Sequence, residues 1–432
     1  MLKALFQLLP VFAIVLVYPI TDIKAQQEPF IRVLLLDASN LSIRSDGSTP
    51  ILVKGLDAIS REKSLDSLKL IVENGFIKSI VNGDFKNVDR LPLKSALRIR
   101  SRDPRGIWLG KRRYAGELRV TGIGDKLRVI NHLRVEKYLQ SVVGGEMPKS
   151  WPMEALKAQA VAARTYALNQ LKKKGNYDIG STEQSQVYLG IESETANIRK
   201  AVKSTRPLVL VHNGKLIDAV FHSSSGGKTE DSGSVWKRQK PYLVSVIDFD
   251  QHAPSFKWTK TIPKRELQSI FSEIGGLNAL RLTRSTKSDR VLEALAYGPK
   301  GKAVFSGKEL RKRLGLKSTL IQFEMIIPKR NNNNKQEMIN EYMQSTKSSK
   351  TTTIKSPFGL PPLPKIGIQT PPNLPVIPRD YALLVKGFGA GHGVGMSQWG
   401  ANGMAKKGKN FKKILRHYYK GVRIIPFLYR YN

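Results

Sequence analysis

The chain has 432 residues, of which 72 are Lys or Arg and 34 are Asp or Glu, giving a formal net charge of +38, with six His and no Cys. The length allows about two or three domains, and a hydrophobic content of 41% is ample for a packed core, which excludes a wholly disordered chain. Zero Cys excludes disulfides, thiolate metal sites, iron–sulfur clusters and a Cys nucleophile. So large a positive charge predicts attraction to a polyanion: nucleic acid, an anionic lipid surface or an anionic cell wall.

Lys3 precedes a mostly apolar run over residues 4–20, and a polar stretch with Ala25 follows. This is the layout of a secretory signal over residues 1–25. Ile23 stands where a small residue is usual before cleavage, so an uncleaved membrane anchor is the competing expectation, about 17 apolar residues being the short end of a span. Either reading places the rest of the chain outside the cytoplasm, in the periplasm or cell envelope. It also removes nucleic acid as the partner of the positive charge. From residue 29 to 130 short β-type runs recur, at 31–37, 68–72 and 127–130, bounded by Gly, Asp and Asn. Residues 135–174 are the one long helical stretch. Gly144-Gly145, Pro148 and Pro152 are expected to split it into two helices. In the second, Met153, Leu156, Ala160, Ala163, Ala167 and Leu171 keep helical spacing. Strand-like pieces return at 207–211, 217–221 and 243–247. Residues 331–379 are rich in Asn, then Ser, Thr and Lys, then Pro, and are expected to be a flexible insertion. The organisation expected is a signal or anchor (1–25), a main part (29–330), the insertion (331–379) and a C-terminal part of the same domain (380–432). The fold class is α+β, a β-rich body with a helical pair carrying the Glu-Met-Pro motif.

Common signatures fail. There is no His-Glu-x-x-His. Gly226-Gly227-Lys228-Thr229 resembles the end of a phosphate loop, but His222 stands where its first Gly is required. Ser225-Gly-Gly-Lys228 fits a Ser-x-x-Lys pattern, but Ser60-Arg-Glu-Lys63 fits it equally and the partner motifs are missing. Glu146 carries more. It is a lone carboxylate at the end of an apolar helix, and both the helix dipole and apolar neighbours disfavour its ionisation. That suits a general acid for a glycosidic oxygen; a solvated helix-end Glu suits the same residues. Lys157 and Arg164, seven apart, share a helix face and are candidates for holding a substrate, or form a solvated cationic stripe. His222, Ser223 and Ser224 leave a strand for a Gly turn, and His392, Gln398 and Trp399 lie in a second Gly-dense segment. Both segments suit a sugar site; an ordinary turn and a packed turn with a core Trp remain open.

Together these segments match a family. GGEMP and ALKAQAVAARTYAL within 135–168, QVYLG at 186–190, FHSSSGGKTE at 221–230, VWKRQKPYL at 235–243 and GHGVGMSQWGANGMA followed by ILRHYY (414–419) resemble, in order, the stage II sporulation protein D and LytB amidase-enhancer family. The resemblance covers 31–328 and 381–425. It implies a peptidoglycan-remodelling protein whose partners are glycan strands and a cell-wall amidase. The expected activity is that of a lytic transglycosylase, with Glu146 as acid and base, Lys157 and Arg164 matching the family's helix residues, and 1,6-anhydro ends as product. The alternative is a non-catalytic wall-binding enhancer of an N-acetylmuramoyl-L-alanine amidase. Members commonly have Cys where this chain has Ser225, and some are associated with zinc there; without Cys, no metal or cofactor is expected.

Overall fold

The computed structural model describes residues 28–427 apart from 48, 58–60, 87, 172–174 and 328–379. The expected signal segment (1–25) and the whole of the expected insertion (331–379) lie outside these residues. The architecture is α+β, with a β-rich body and helices packed against it.

The β-body consists of two sheets. The seven-stranded one runs in the order Ile179–Gly180, Phe30–Ala38, Lys126–Arg134, Glu117–Ile123, Ala96–Ser101, Ile51–Lys54, Glu62–Leu65. The six-stranded one runs Arg112–Tyr114, Ile107–Leu109, Asn40–Arg44, Ser67–Glu73, Phe76–Val81, Val88–Pro92. Alternate residues point inward: Leu41 and Ile43 are buried while Asn40, Ser42 and Arg44 are exposed. Ile31, Val33, Leu118, Val120 and Val129 of the first sheet share one core with Leu41, Ile43, Leu68 and Leu70 of the second.

The strand Lys126–Arg134 runs without a loop into α1 (Val135–Glu146). The expected break at Gly144-Gly145 does not occur; α1 continues through both. A Cβ on Gly144 would lie 2.0 Å from the Ser193 carbonyl and one on Gly145 2.8 Å from that of Val187, so the glycines admit a neighbouring chain rather than end a helix. Pro148 ends it, forcing Met147 into an extended conformation. Pro152 precedes α2 (Met153–Gln170), whose buried residues lie on every side. A helix apolar all round belongs in a core, and α2 is surrounded by α1, α3 (Ala196–Ser204), the strand Leu208–His212 and two helices described below.

Of the later strand expectations, 207–211 matches Leu208–His212. Residues 217–221 yield only Phe221–His222 as strand, because Ala219 and Val220 donate backward to Ile217 and Asp218 in tight turns. Residues 243–247 form no named strand; Leu243 and Val246 accept from Ser232 and Thr229 in loop-to-loop bonds.

Residues 257–326 and the later strand Ala382–Phe388 form a smaller module with its own core, including Ile262, Leu267, Phe271, Val291, Leu310 and Leu383. It contains α4 (Lys264–Ile270), a three-stranded sheet (Ala279–Ser285, Val291–Gly298, Gly301–Ser306) and α5 (Gly307–Arg313). The strand Ala382–Phe388 inserts between Lys257–Pro263 and Ile321–Ile326. The chain then turns through a Gly-dense loop back to the body. There Met396–Ser397 pairs in parallel with Phe221–His222, α6 (Gln398–Lys406) and α7 (Phe411–Tyr418) cover α2, and Arg423–Pro426 pairs with Leu208–His212. Among the described residues no helix is long and apolar enough to cross a membrane.

Candidate functional site

A cleft of about 980 Å³ opens where the end of α1, the 183–187 segment, the Gly turn after His222, the small module and the Gly-dense loop before α6 converge. Glu146, His222, Ser223, His392 and Gln398 all line it. Glu146 sits where α1 ends. Its Oε1 accepts from the Val187 backbone N–H at 2.7 Å and its Oε2 from Gln398 Nε2 at 3.0 Å. Burial pushes its carboxyl above the ordinary range, against the two hydrogen bonds, and the Glu183 carboxylate acts in the same direction as burial. The glycines of α1 place Val187 within reach, and Gln186 is held by Tyr138 at 2.9 Å.

The two imidazoles bind the backbone of one residue, Val394, on its two successive peptide units. His222 Nδ1 donates to the Val394 carbonyl at 3.0 Å, since a carbonyl can only accept, and Val394 N–H donates to His392 Nδ1 at 3.1 Å. Burial keeps both neutral: His392 is pushed down to about 4, and His222 well below its ordinary value. Their ring centroids are 5.4 Å apart, and Trp236 stands 5.3 Å from His392 on the other side.

Three expected substrate contacts are elsewhere. Arg164 is fully buried. Its Nε and Nη2 meet the two oxygens of Glu136 at 2.7 and 2.8 Å, and it also donates to the Val202, Thr205 and Leu208 carbonyls. It ties α1, α2 and α3 together and does not reach the cleft. Lys157 pairs with Glu154 at 2.8 Å and lies over the Phe411 ring, facing α7. Ser224 is buried and donates to Asp250 at 2.5 Å. The seven-residue spacing did set Lys157 and Arg164 on one side of α2, but every side of α2 is packed. Trp399 packs edge-on against Trp151 at 4.8 Å and His252.

Sequence reasoning missed Tyr166, Trp236, Arg290, Arg311 and Lys317, which complete the cleft wall. It also missed Asp248 and Asp250, which bind Ser225 at 2.5 Å and the Gly226 and Gly227 N–H groups at 2.8 and 3.0 Å, and so fix the Gly turn. Burial and the neighbouring Asp250 charge raise Asp248. Among the described residues no group of three or more His, Cys, Asp or Glu is placed to hold a metal ion.

Fold and cleft define an α+β protein in which one polar groove is assembled by both halves of the chain. The Stage II sporulation protein family model matches residues 124–212. Stage II sporulation protein D of Bacillus subtilis is 30% identical over 315 residues, covering 68% of this chain and 75% of that protein. An uncharacterised protein of Brachyspira hyodysenteriae is 32% identical over 325 residues, covering 74% and 75%. The amidase enhancer of Bacillus subtilis is 31% identical over 316 residues, covering 67% of this chain and 40% of that longer protein. The chain belongs to the stage II sporulation protein D and amidase-enhancer family.

These relatives overturn the expected enzyme. Their names denote an amidase enhancer and a sporulation protein, not a lytic transglycosylase. The cationic pair expected to hold substrate beside Glu146 is instead spent on Glu136 and Glu154.

Proposed function

We propose that the chain is an extracytoplasmic peptidoglycan-binding protein that stimulates a cell-wall amidase, with the cleft holding a glycan strand. The observation that supports this reading is the cleft's lining. Two neutral imidazoles, the Gln398 amide, the Ser223 hydroxyl and the Glu146 carboxyl, raised by burial, offer donors and acceptors to the hydroxyl and acetamido groups of a sugar. Trp236, 41% exposed, offers a flat apolar ring on the same wall. The +38 charge holds the protein to an anionic wall, and Glu146 serves as the acceptor that joins α1, the 187 segment and α6. The name of the amidase-enhancer relative supplies the activity.

The test uses purified cell wall and an N-acetylmuramoyl-L-alanine amidase, with and without the protein. Stem-peptide release is expected to accelerate while glycan strand length stays constant. Trp236→Ala is expected to weaken wall binding and stimulation together. An unchanged amidase rate at saturating protein overturns the enhancer reading.

A further inference from the structure

Two buried side chains in the cleft wall have polar atoms with nothing to bind. Arg290 is 1% exposed. Its Nη2 donates to the Ser225 carbonyl at 2.6 Å, but Nε and Nη1 have no hydrogen-bond partner. Among the described residues no carboxylate pairs with it, because its acidic neighbours are engaged: Glu230 by Thr286 and the Asp231 N–H, Asp250 by Ser224 and the Gly226 and Gly227 N–H groups. Buried guanidinium donors without acceptors are costly, and burial lowers the group to about 10. His222 is 5% exposed. With its Nδ1 proton on the Val394 carbonyl and the ring neutral, Nε2 carries a lone pair, and that atom is buried without a partner.

The Gly-dense loop holds both in place. A Cβ on Gly391 would lie 2.8 Å from His222 Cβ, and one on Gly393 would lie 2.5 Å from Arg290 Cζ. Arg311 and Lys317 face the same cleft and add positive potential.

We propose that Arg290 and His222 form a two-point subsite in the cleft wall, the guanidinium taking a carboxylate of the peptidoglycan repeat and His222 Nε2 accepting from an adjacent N–H or O–H. This rests on the glycan-binding reading above. A guanidinium matches a planar oxyanion through several N–H donors. The imidazole decides which oxyanion, because it demands a donor on the same ligand. The carboxylates of peptidoglycan lie close to amide N–H groups, whereas a phosphodiester linkage carries no donor of its own.

The experiment is calorimetric titration of the full chain with two ligands and their carboxyl methyl esters: a muramyl disaccharide without peptide, and the same disaccharide with its stem peptide. Whichever ligand presents the recognised carboxylate binds about 10- to 100-fold more tightly as acid than as ester, since charge-assisted bonds are lost on esterification. That comparison identifies which of the two bears it and needs no variant. Arg290→Gln brings the acid to the level of the ester, whereas His222→Phe weakens acid and ester alike. Equal binding of acid and ester in both ligands refutes the subsite and leaves the glycan cleft standing. Binding of no ligand refutes both. An acid–ester difference that survives Arg290→Gln, or stabilisation by inorganic phosphate without any by the acids, refutes this assignment.

Discussion

Removing Arg164 separates a structural role from a binding one. Arg164→Ala strands the Glu136 carboxylate, whose side chain is only 10% exposed, and takes donors from three carbonyls at and beyond the end of α3. Breaking a buried ion pair from one side costs about 3–5 kcal/mol. At about 2–4 °C per kcal/mol for a cooperative unit of this size, the melting temperature should fall by roughly 10 °C. Glu136→Gln should lose a similar amount, because it leaves a guanidinium buried without its anion. The double variant Arg164→Met, Glu136→Leu should recover most of the loss, since no charge is then desolvated. Calorimetric unfolding measures all four, and wall binding is read well below each transition. Lys157→Ala provides the contrast: its partly exposed pair with Glu154 is worth less than about 1 kcal/mol. If Arg164→Ala melts with wild type but no longer binds cell wall, the structural assignment is wrong and the residue contacts substrate.

Because burial raises the Glu146 carboxyl, its neutral form favours the folded chain; that contribution is full below the unfolded value near 4.5 and is lost as pH rises through the higher folded one. Glu146→Gln stays neutral and keeps both partners if the Gln398 amide turns over, so its melting temperature should gain on wild type as pH rises above the unfolded value near 4.5; a difference that is constant with pH contradicts this. Gly144→Ala gains about 1 kcal/mol of helix propensity, but its Cβ meets the Ser193 carbonyl at 2.0 Å, so urea unfolding should show net destabilisation; a stabilised variant would mean residues 190–193 are not held against α1. Retention on purified wall should fall steeply towards 1 M salt, where screening acts over about 3 Å; salt-independent retention would assign wall binding to the cleft alone.

The sheet strands at 127–130 and 68–72 were readable as short runs rich in branched apolar residues bounded by Gly, Asp and Asn. The 217–221 run has the same composition but turns back on itself to let Phe221–His222 pair with Met396–Ser397. A partner 175 residues further on leaves no local trace. Glu146 and Gln398 were each conspicuous, one for its apolar neighbours and one for its Gly-dense setting. That they share a hydrogen bond across 252 positions is a product of the fold. Helical period placed Lys157 and Arg164 correctly in angle and wrongly in environment, since periodicity does not say whether a polar face meets water or a buried Glu. Arg290 and Arg311 had no signal at all: among 72 Lys and Arg residues, nothing local distinguishes a guanidinium sealed into a cleft from one in solvent.

The strand Ala382–Phe388 completes the small module, and the pieces from Met396 to Pro426 complete the body. Both units are therefore finished by segments that come late in the chain. Close to 380 residues precede these segments, so the middle strand of the small module's sheet and the covering of α2 are the last parts to be made. Until then the lining of α2 and the edges of Lys257–Pro263 and Ile321–Ile326 stay uncovered, which favours chaperone capture and association with like edges. The cleft, which needs His392 and Gln398, is complete only once these last segments have been made.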